Sequence, residues 1–98
     1  SVERCGRTRD GAYRDMRGND ISAFTAPIDV LFLEPPDGCL TLGIGDGGNE
    51  IGMGTLGEVI GRELTVEPCA VPVDHLILSE VSNWGAYGLI RCLEAQTG

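Results

Sequence analysis

Lysine is absent from this chain of 98 residues, and that removes a block of chemistry at once. No Walker-type ammonium can reach nucleotide phosphates, and no amine can form a Schiff base with pyridoxal phosphate or a carbonyl substrate. Aromatic residues make up 5% of the chain, and His75 is its one histidine. No apolar run approaches the ~20 residues of a membrane-spanning helix, so no membrane partner is expected. Cys5, Cys39, Cys69 and Cys92 lie far apart with no C-x-x-C pair, which excludes a zinc knuckle and a thioredoxin-like motif. Two of them flank apolar runs, where a reduced thiol behaves as a small hydrophobe, and an intracellular or organellar compartment follows. The chain opens Ser1-Val2-Glu3-Arg4 with neither an initiator methionine nor a signal-peptide core, which reads as a piece of a longer protein.

What is present is acidic and glycine-rich. The formal net charge is −8, with five arginines against four acids in residues 1–20 and two against eleven in residues 21–98. Nucleic acid is therefore not an expected partner, because binding a phosphate backbone depends on neutralising it with cationic side chains. A small cationic ligand or a divalent metal suits the charge better. The 15 glycines are about twice the usual share, which argues for a globular, loop-rich chain with one modest core.

Along the chain, Ser1 to Arg4 can end a strand, and Cys5 to Gly18 carries neither helical nor strand period. Asn19 or Asp20 can cap a helix through Phe24. Pro27 suits the first turn of a continuation bearing Ile28, Leu31 and Phe32 on one face, which Pro35-Pro36-Asp37-Gly38 terminates. Leu40 to Ile44 is an apolar run opening into the glycine-rich segment Gly43 to Gly54. Leu56, Val59, Ile60 and Leu64 then recur at helical spacing. Cys69 to Val73 is a second apolar run, which His75 to Leu78 continues or follows as a further short strand. Ser82 and Asn83 offer an N-cap for a helix through about Glu94. Short strands alternating with helices imply an α/β layered domain with a mostly parallel sheet, in which Leu40 to Ile44 and Ala70 to Val73 are parallel neighbours. A sheet of about three strands leaves edges exposed, which points to further elements outside these residues and to an isolated fragment that is unstable or inactive.

The segment Gly43-Ile-Gly-Asp-Gly-Gly-Asn-Glu-Ile-Gly-Met-Gly54 carries the most chemical information. Its glycines permit positive φ and close backbone approach, and N–H groups at Gly45, Gly47, Gly48 and Asn49 can meet an anion such as a carboxylate. Gly43, Gly45 and Gly48 also satisfy G-x-G-x-x-G after a strand and before a helix, the fingerprint of a dinucleotide-binding oxidoreductase. Asp46 argues against that reading, since its carboxylate would face the pyrophosphate. Asp46 and Glu50, four apart, can share a cavity as a general base and a ligand for a cation, either a divalent metal or an ammonium. They can equally be a turn residue and a helix-dipole partner. Asp74 ends an apolar run, where catalytic groups of parallel sheets gather, whereas a lone histidine such as His75 is more often a satisfied surface or core residue. The arginine-rich loop from Arg4 to Arg17 can be solvated surface or a lid whose guanidinium, at Arg17, grips a carboxylate.

Three blocks carry a resemblance over nearly the whole chain. They are Cys5-Gly-Arg with Asp10-Gly-x-Tyr and Met16-Arg-Gly, then GIGDGGNEIGMG, then VSNWGAYGL at Val81 to Leu89. In that order they resemble the C-terminal domain of the D-glutamate cyclase family. The resemblance implies that residues 1–98 are the central part of such a domain, a hydro-lyase closing D-glutamate to 5-oxo-D-proline. It implies a mitochondrial matrix location in an animal and a cytoplasmic one in a bacterium. Its site residues fall on Asp46, Asn49, Glu50, Asp74, Ser82 and Asn83. No nucleotide is required in principle, because closing a five-membered ring is intramolecular and positioning lowers much of the barrier, and a divalent metal is the one candidate cofactor. A non-catalytic module binding an amino acid or nucleotide would use the same loop.

Overall fold

The computed structural model describes residues 1–63 and 67–97. Helix α1, Val30–Leu33, precedes strand β1, Leu42–Gly45. Helix α2, Gly57–Glu63, strand β2, His75–Leu78, and helix α3, Ser82–Thr97, follow. β1 and β2 pair in parallel, with Leu42 opposite His75 and Gly45 opposite Leu78, and helices pack against them. This is the expected α/β arrangement. Ser1 to Glu3 lies along the other edge of β1, where the Ile44 N–H donates to the Ser1 carbonyl and the Glu3 N–H donates to the Ile44 carbonyl, both at 2.9 Å.

The sequence Leu-Gly-Ile-Gly of β1 explains how its two faces are covered. Side chains alternate along a strand, so the two glycines share one face and Ile44 takes the other. A Cβ at Gly43 would lie 2.7 Å from the Ile51 carbonyl oxygen, and one at Gly45 would lie 2.6 Å from the Met53 methyl. The glycine-rich loop therefore folds back over the glycine face. On the opposite face, a Cβ at Gly85 would lie 2.8 Å from Ile44 Cγ2, so the first turn of α3 is in close contact with the strand.

The core lies under the loop. Ile51, Met53, Ile60, Cys69, Val71 and Val73 form one buried cluster against which Phe32, Leu56 and Leu76 pack. Its extended wall, Cys69 to Val73, is the segment expected to pair with β1, and it does not. It bonds to the loop instead: Gly52 and Gly54 N–H groups donate to the Val71 carbonyl, and the Cys69 N–H donates to the Gly48 carbonyl. Pro68 and Pro72 bracket the run, and Pro72 has no N–H with which to extend a ladder. The second strand is accordingly the less apolar His75–Leu78.

The remaining helices follow the sequence closely. The Asp20 carboxylate accepts the Ser22 N–H at 2.9 Å and starts a 3₁₀ turn, Ser22–Phe24, and α1 lasts one turn before the prolines. A 3₁₀ turn at Gly54–Leu56 leads into α2. Leu64, assigned to that helix, lies outside the described residues. α3 runs past the expected Glu94 to Thr97. All four cysteines are free; Cys69 is buried as expected, but Cys39 is exposed. Burial raises the Cys69 thiol to about 11, which makes it unreactive at neutral pH.

Candidate active site

Beyond β1 the chain turns back on itself within five residues. The N–H groups of Asp46 and Gly47 donate to Glu50 Oε1 at 3.0 and 2.8 Å, and the N–H of Gly48 donates to Oε2 at 2.8 Å. Successive N–H groups aimed at one point make an anion nest. Gly48 closes the turn at φ 115°, a conformation that a side chain would strain. Glu50 is only 3% exposed. The N–H groups of Gly47 and Gly48, expected to hold a substrate carboxylate, thus hold the loop's own glutamate. Gly45 serves the same end, since a Cβ there would crowd Glu50 Cβ at 3.1 Å.

With Glu50 turned inward, the outward-facing acid is Asp46. Its Oδ2 accepts the N–H of Ser82 at 3.1 Å, which places a carboxylate on the positive end of α3. Burial would push the Asp46 carboxyl up. Hydrogen bonds shared with the Glu50 carboxyl, with Ser82 and with Glu3 outweigh that and hold it below the usual range. Glu50 and Glu3 are thus acidic neighbours of Asp46, and Glu3 carries no signal in the sequence. No basic side chain pairs with Asp46 or Glu50 among the described residues.

The three sequence blocks meet here. Asn49 joins the glycine-rich loop to the arginine-rich one: its side-chain amide donates to the Arg14 carbonyl at 3.0 Å, and its own carbonyl accepts the Gly6 N–H at 2.9 Å. Met16 lies over Gly47, where a Cβ would sit 2.7 Å from its sulfur, and the next residue, Arg17, is exposed. Asp46 joins the loop to α3 through Ser82, whose hydroxyl is fully buried with no partner among the described residues, while Asn83 is exposed. A cleft of about 240 Å³ opens beside Asp46 and Gly47, walled by Leu56, Ile60 and Leu78, with Glu63 as a second acid. It lies at the carboxyl ends of β1 and β2, where ligands of open parallel sheets bind. Glu63 could have been anticipated, because it falls one turn beyond Val59 and Ile60 on the helix.

Asp74 does not join this group. With the second strand at His75–Leu78, Asp74 precedes that strand, at the opposite end of the sheet from Asp46. Its carboxylate accepts the N–H of Thr41 at 2.9 Å and the Thr41 hydroxyl at 3.1 Å, and the Asp74 N–H returns to that hydroxyl. Those bonds hold the Asp74 carboxyl below its ordinary range. Of the expected common cavity of Asp46, Glu50 and Asp74, only Asp46 lines the cleft, because Glu50 is turned inward and Asp74 lies at the other end of the sheet. Among the described residues no group of three or more His, Cys, Asp or Glu side chains is arranged to hold a metal ion.

Arg7 and Tyr13, both in the first block, are committed elsewhere. The Arg7 guanidinium donates to both oxygens of the fully buried Asp29 at 2.8 and 2.9 Å, and the Tyr13 hydroxyl donates to it at 2.6 Å. Burial opposes ionisation of Asp29, but these donors lower its carboxyl to about 2. The pairing spans 22 residues of sequence, and no local pattern announces it.

Comparison with known proteins fits this convergence. Residues 1–98 match the family described as D-glutamate cyclase-like, C-terminal. The chain belongs to the D-glutamate cyclase-like C-terminal family. A human relative, D-glutamate cyclase, mitochondrial, is 42% identical over 98 residues, covering 95% of this chain and 16% of that protein. The D-glutamate cyclase-like chain thus spans about a sixth of that relative's length. Among its described residues no helix is long and apolar enough to cross a membrane.

Proposed function

We propose that this domain, as the central part of a longer one, acts in closing D-glutamate to 5-oxo-D-proline and water, with Asp46 as the base. The supporting observation is the meeting of all three sequence blocks around one exposed carboxylate at the carboxyl end of the sheet. In the reaction the α-nitrogen forms a bond to the γ-carboxyl carbon and one C–O bond breaks. The nitrogen loses two protons and the departing oxygen leaves with two, as water. Asp46 takes the first proton from the ammonium, and the surrounding acids attract that cation. Glu50 keeps its place in the nest and fixes the direction of Asp46.

The substrate carboxylates then need donors other than the filled nest. The exposed Arg17 and Asn83 are assigned that role, whereas Ser82, fully buried with its N–H already on Asp46, positions that carboxylate. A filled nest also weighs against the dinucleotide reading, because a pyrophosphate would have to displace Glu50. Asp46 would be the residue to hold a divalent cation, which would mask the same charge as a guanidinium, and metal addition tests that variant. The name of the human relative supports a mitochondrial matrix location for an animal protein.

Chiral chromatography of D- and L-glutamate incubated with the intact protein, with and without a divalent metal, checks the proposal. Conversion of D-glutamate alone is expected. Equal conversion of both enantiomers, or of neither, discards it, and saturable binding without turnover would favour the non-catalytic module.

A further inference from the structure

Of the seven arginines, Arg7, Arg14 and Arg91 are ion-paired, with Asp29, Asp10 and Glu94. Two of the other four, Arg9 from the arginine-rich loop and Arg62 from α2, line a single cavity of about 550 Å³. Glu58 and Glu67 line it as well. The cavity shares no residue with the cleft beside Asp46, because it lies against Gly57 and Gly61 of α2 whereas that cleft uses Leu56, Val59 and Ile60.

The glycines of this wall are not explained by the fold. Gly54 is required, since a Cβ there would come within 2.5 Å of the Ala70 backbone. Among the described residues nothing lies within 4 Å of such a Cβ at Gly57 or Gly61, and neither has a positive φ, although glycine disfavours a helix relative to nearly every other residue. Their bare surface keeps the cavity open between two guanidiniums and two carboxylates.

We propose that this cavity is a second binding site, for an amino acid that carries a second carboxylate. Two guanidiniums with no ion pair among the described residues match two carboxylates, each able to bond bidentately, and Glu58 or Glu67 matches the ammonium. An inorganic anion would leave both glutamates facing like charge. A neutral molecule would leave all four charges unused. The volume is within the range of small-molecule sites. The inference does not depend on Asp46 being the base.

Binding is measured in the intact protein carrying Asp46→Asn, so that turnover is slowed, using calorimetry with D-glutamate, L-glutamate and glutarate. Hydrogen–deuterium exchange of residues 67–70, which line this cavity and not the cleft beside Asp46, is followed in parallel. Glutamate is expected to slow exchange there. Glutarate, lacking the ammonium, is expected to bind about tenfold more weakly. Arg9→Gln and Arg62→Gln should each weaken the event about tenfold or more. Gly61→Leu is the decisive variant: it should raise the thermal midpoint, because the space above it is empty and leucine favours helix, and it should abolish the protection. Unchanged exchange at about 10 mM glutamate, or protection that survives Gly61→Leu, overturns the proposal. Protection without product formation in the unsubstituted protein would sustain this site while removing the cyclase reading.

Discussion

Asp29 and Glu50 are both buried carboxylates that hold a loop in place, and they do so with opposite electrostatics. Asp29 meets a guanidinium and a phenol, so the clamp beneath the arginine-rich loop is neutral and complete. Glu50 meets three backbone N–H groups and no cationic side chain among the described residues, and its acidic neighbours are Asp46 and Glu3. One arrangement has no capacity left to act on anything. The other leaves a concentration of negative charge, with Asp46 exposed, at the end of the sheet where ligands bind. Chemistry is therefore to be sought where charge is held but not compensated.

The largest effect expected from breaking this contrast is at Glu50. Glu50→Ala leaves three N–H groups in or near the core without their acceptor, and a cost of about 4 kcal/mol is expected in urea unfolding. Glu50→Gln keeps one acceptor but turns an amide donor toward N–H groups, for a loss of about 2 kcal/mol. A loss well under 1 kcal/mol for both would show that the loop holds itself and that Glu50 is free to do something else.

Asp29→Asn should come next, at about 3 kcal/mol, because it strips the half-buried Arg7 guanidinium of its buried counter-charge. The same pair gives a pH dependence. The Asp29 carboxyl lies at about 2 in the folded protein, below its ordinary 3.8, so its contribution is fully present above about pH 4 and disappears as pH falls through about 2. Thermal midpoints measured from pH 5 to pH 2 should fall steeply in the parent and less in Asp29→Asn. Parallel curves would mean that the acid sensitivity comes from other carboxylates.

How much of this was legible in the sequence depended on the range of each interaction. The order strand, glycine-rich loop, helix was readable because it rests on local features: an apolar run, a cluster of glycines and 3.6-residue spacing. The second strand was displaced toward Cys69–Val73 because that run is the more apolar, although its two prolines were the available warning. Asp74 was misplaced as a consequence, since a carboxylate at the end of one assigned strand became the start of another. Asp46 and Glu50 were recognisable as neighbours by their spacing of four. That Glu50 would turn inward and fill the nest depends on tertiary room at Gly45 and Gly47, which no spacing encodes. Arg7, Tyr13 and Asp29 were invisible as a group because a buried ion pair across 22 residues leaves no periodic trace.

The claim that Asp46 acts while Glu50 supports is tested most directly by Asp46→Asn, which keeps the acceptor oxygen for Ser82 and removes the base. Initial rates of 5-oxo-D-proline formation from D-glutamate should be measured in the intact protein alongside its thermal midpoint. The account predicts a fall of about 10²–10⁴-fold in kcat with the midpoint nearly unchanged. Undiminished turnover in a folded Asp46→Asn protein would contradict it.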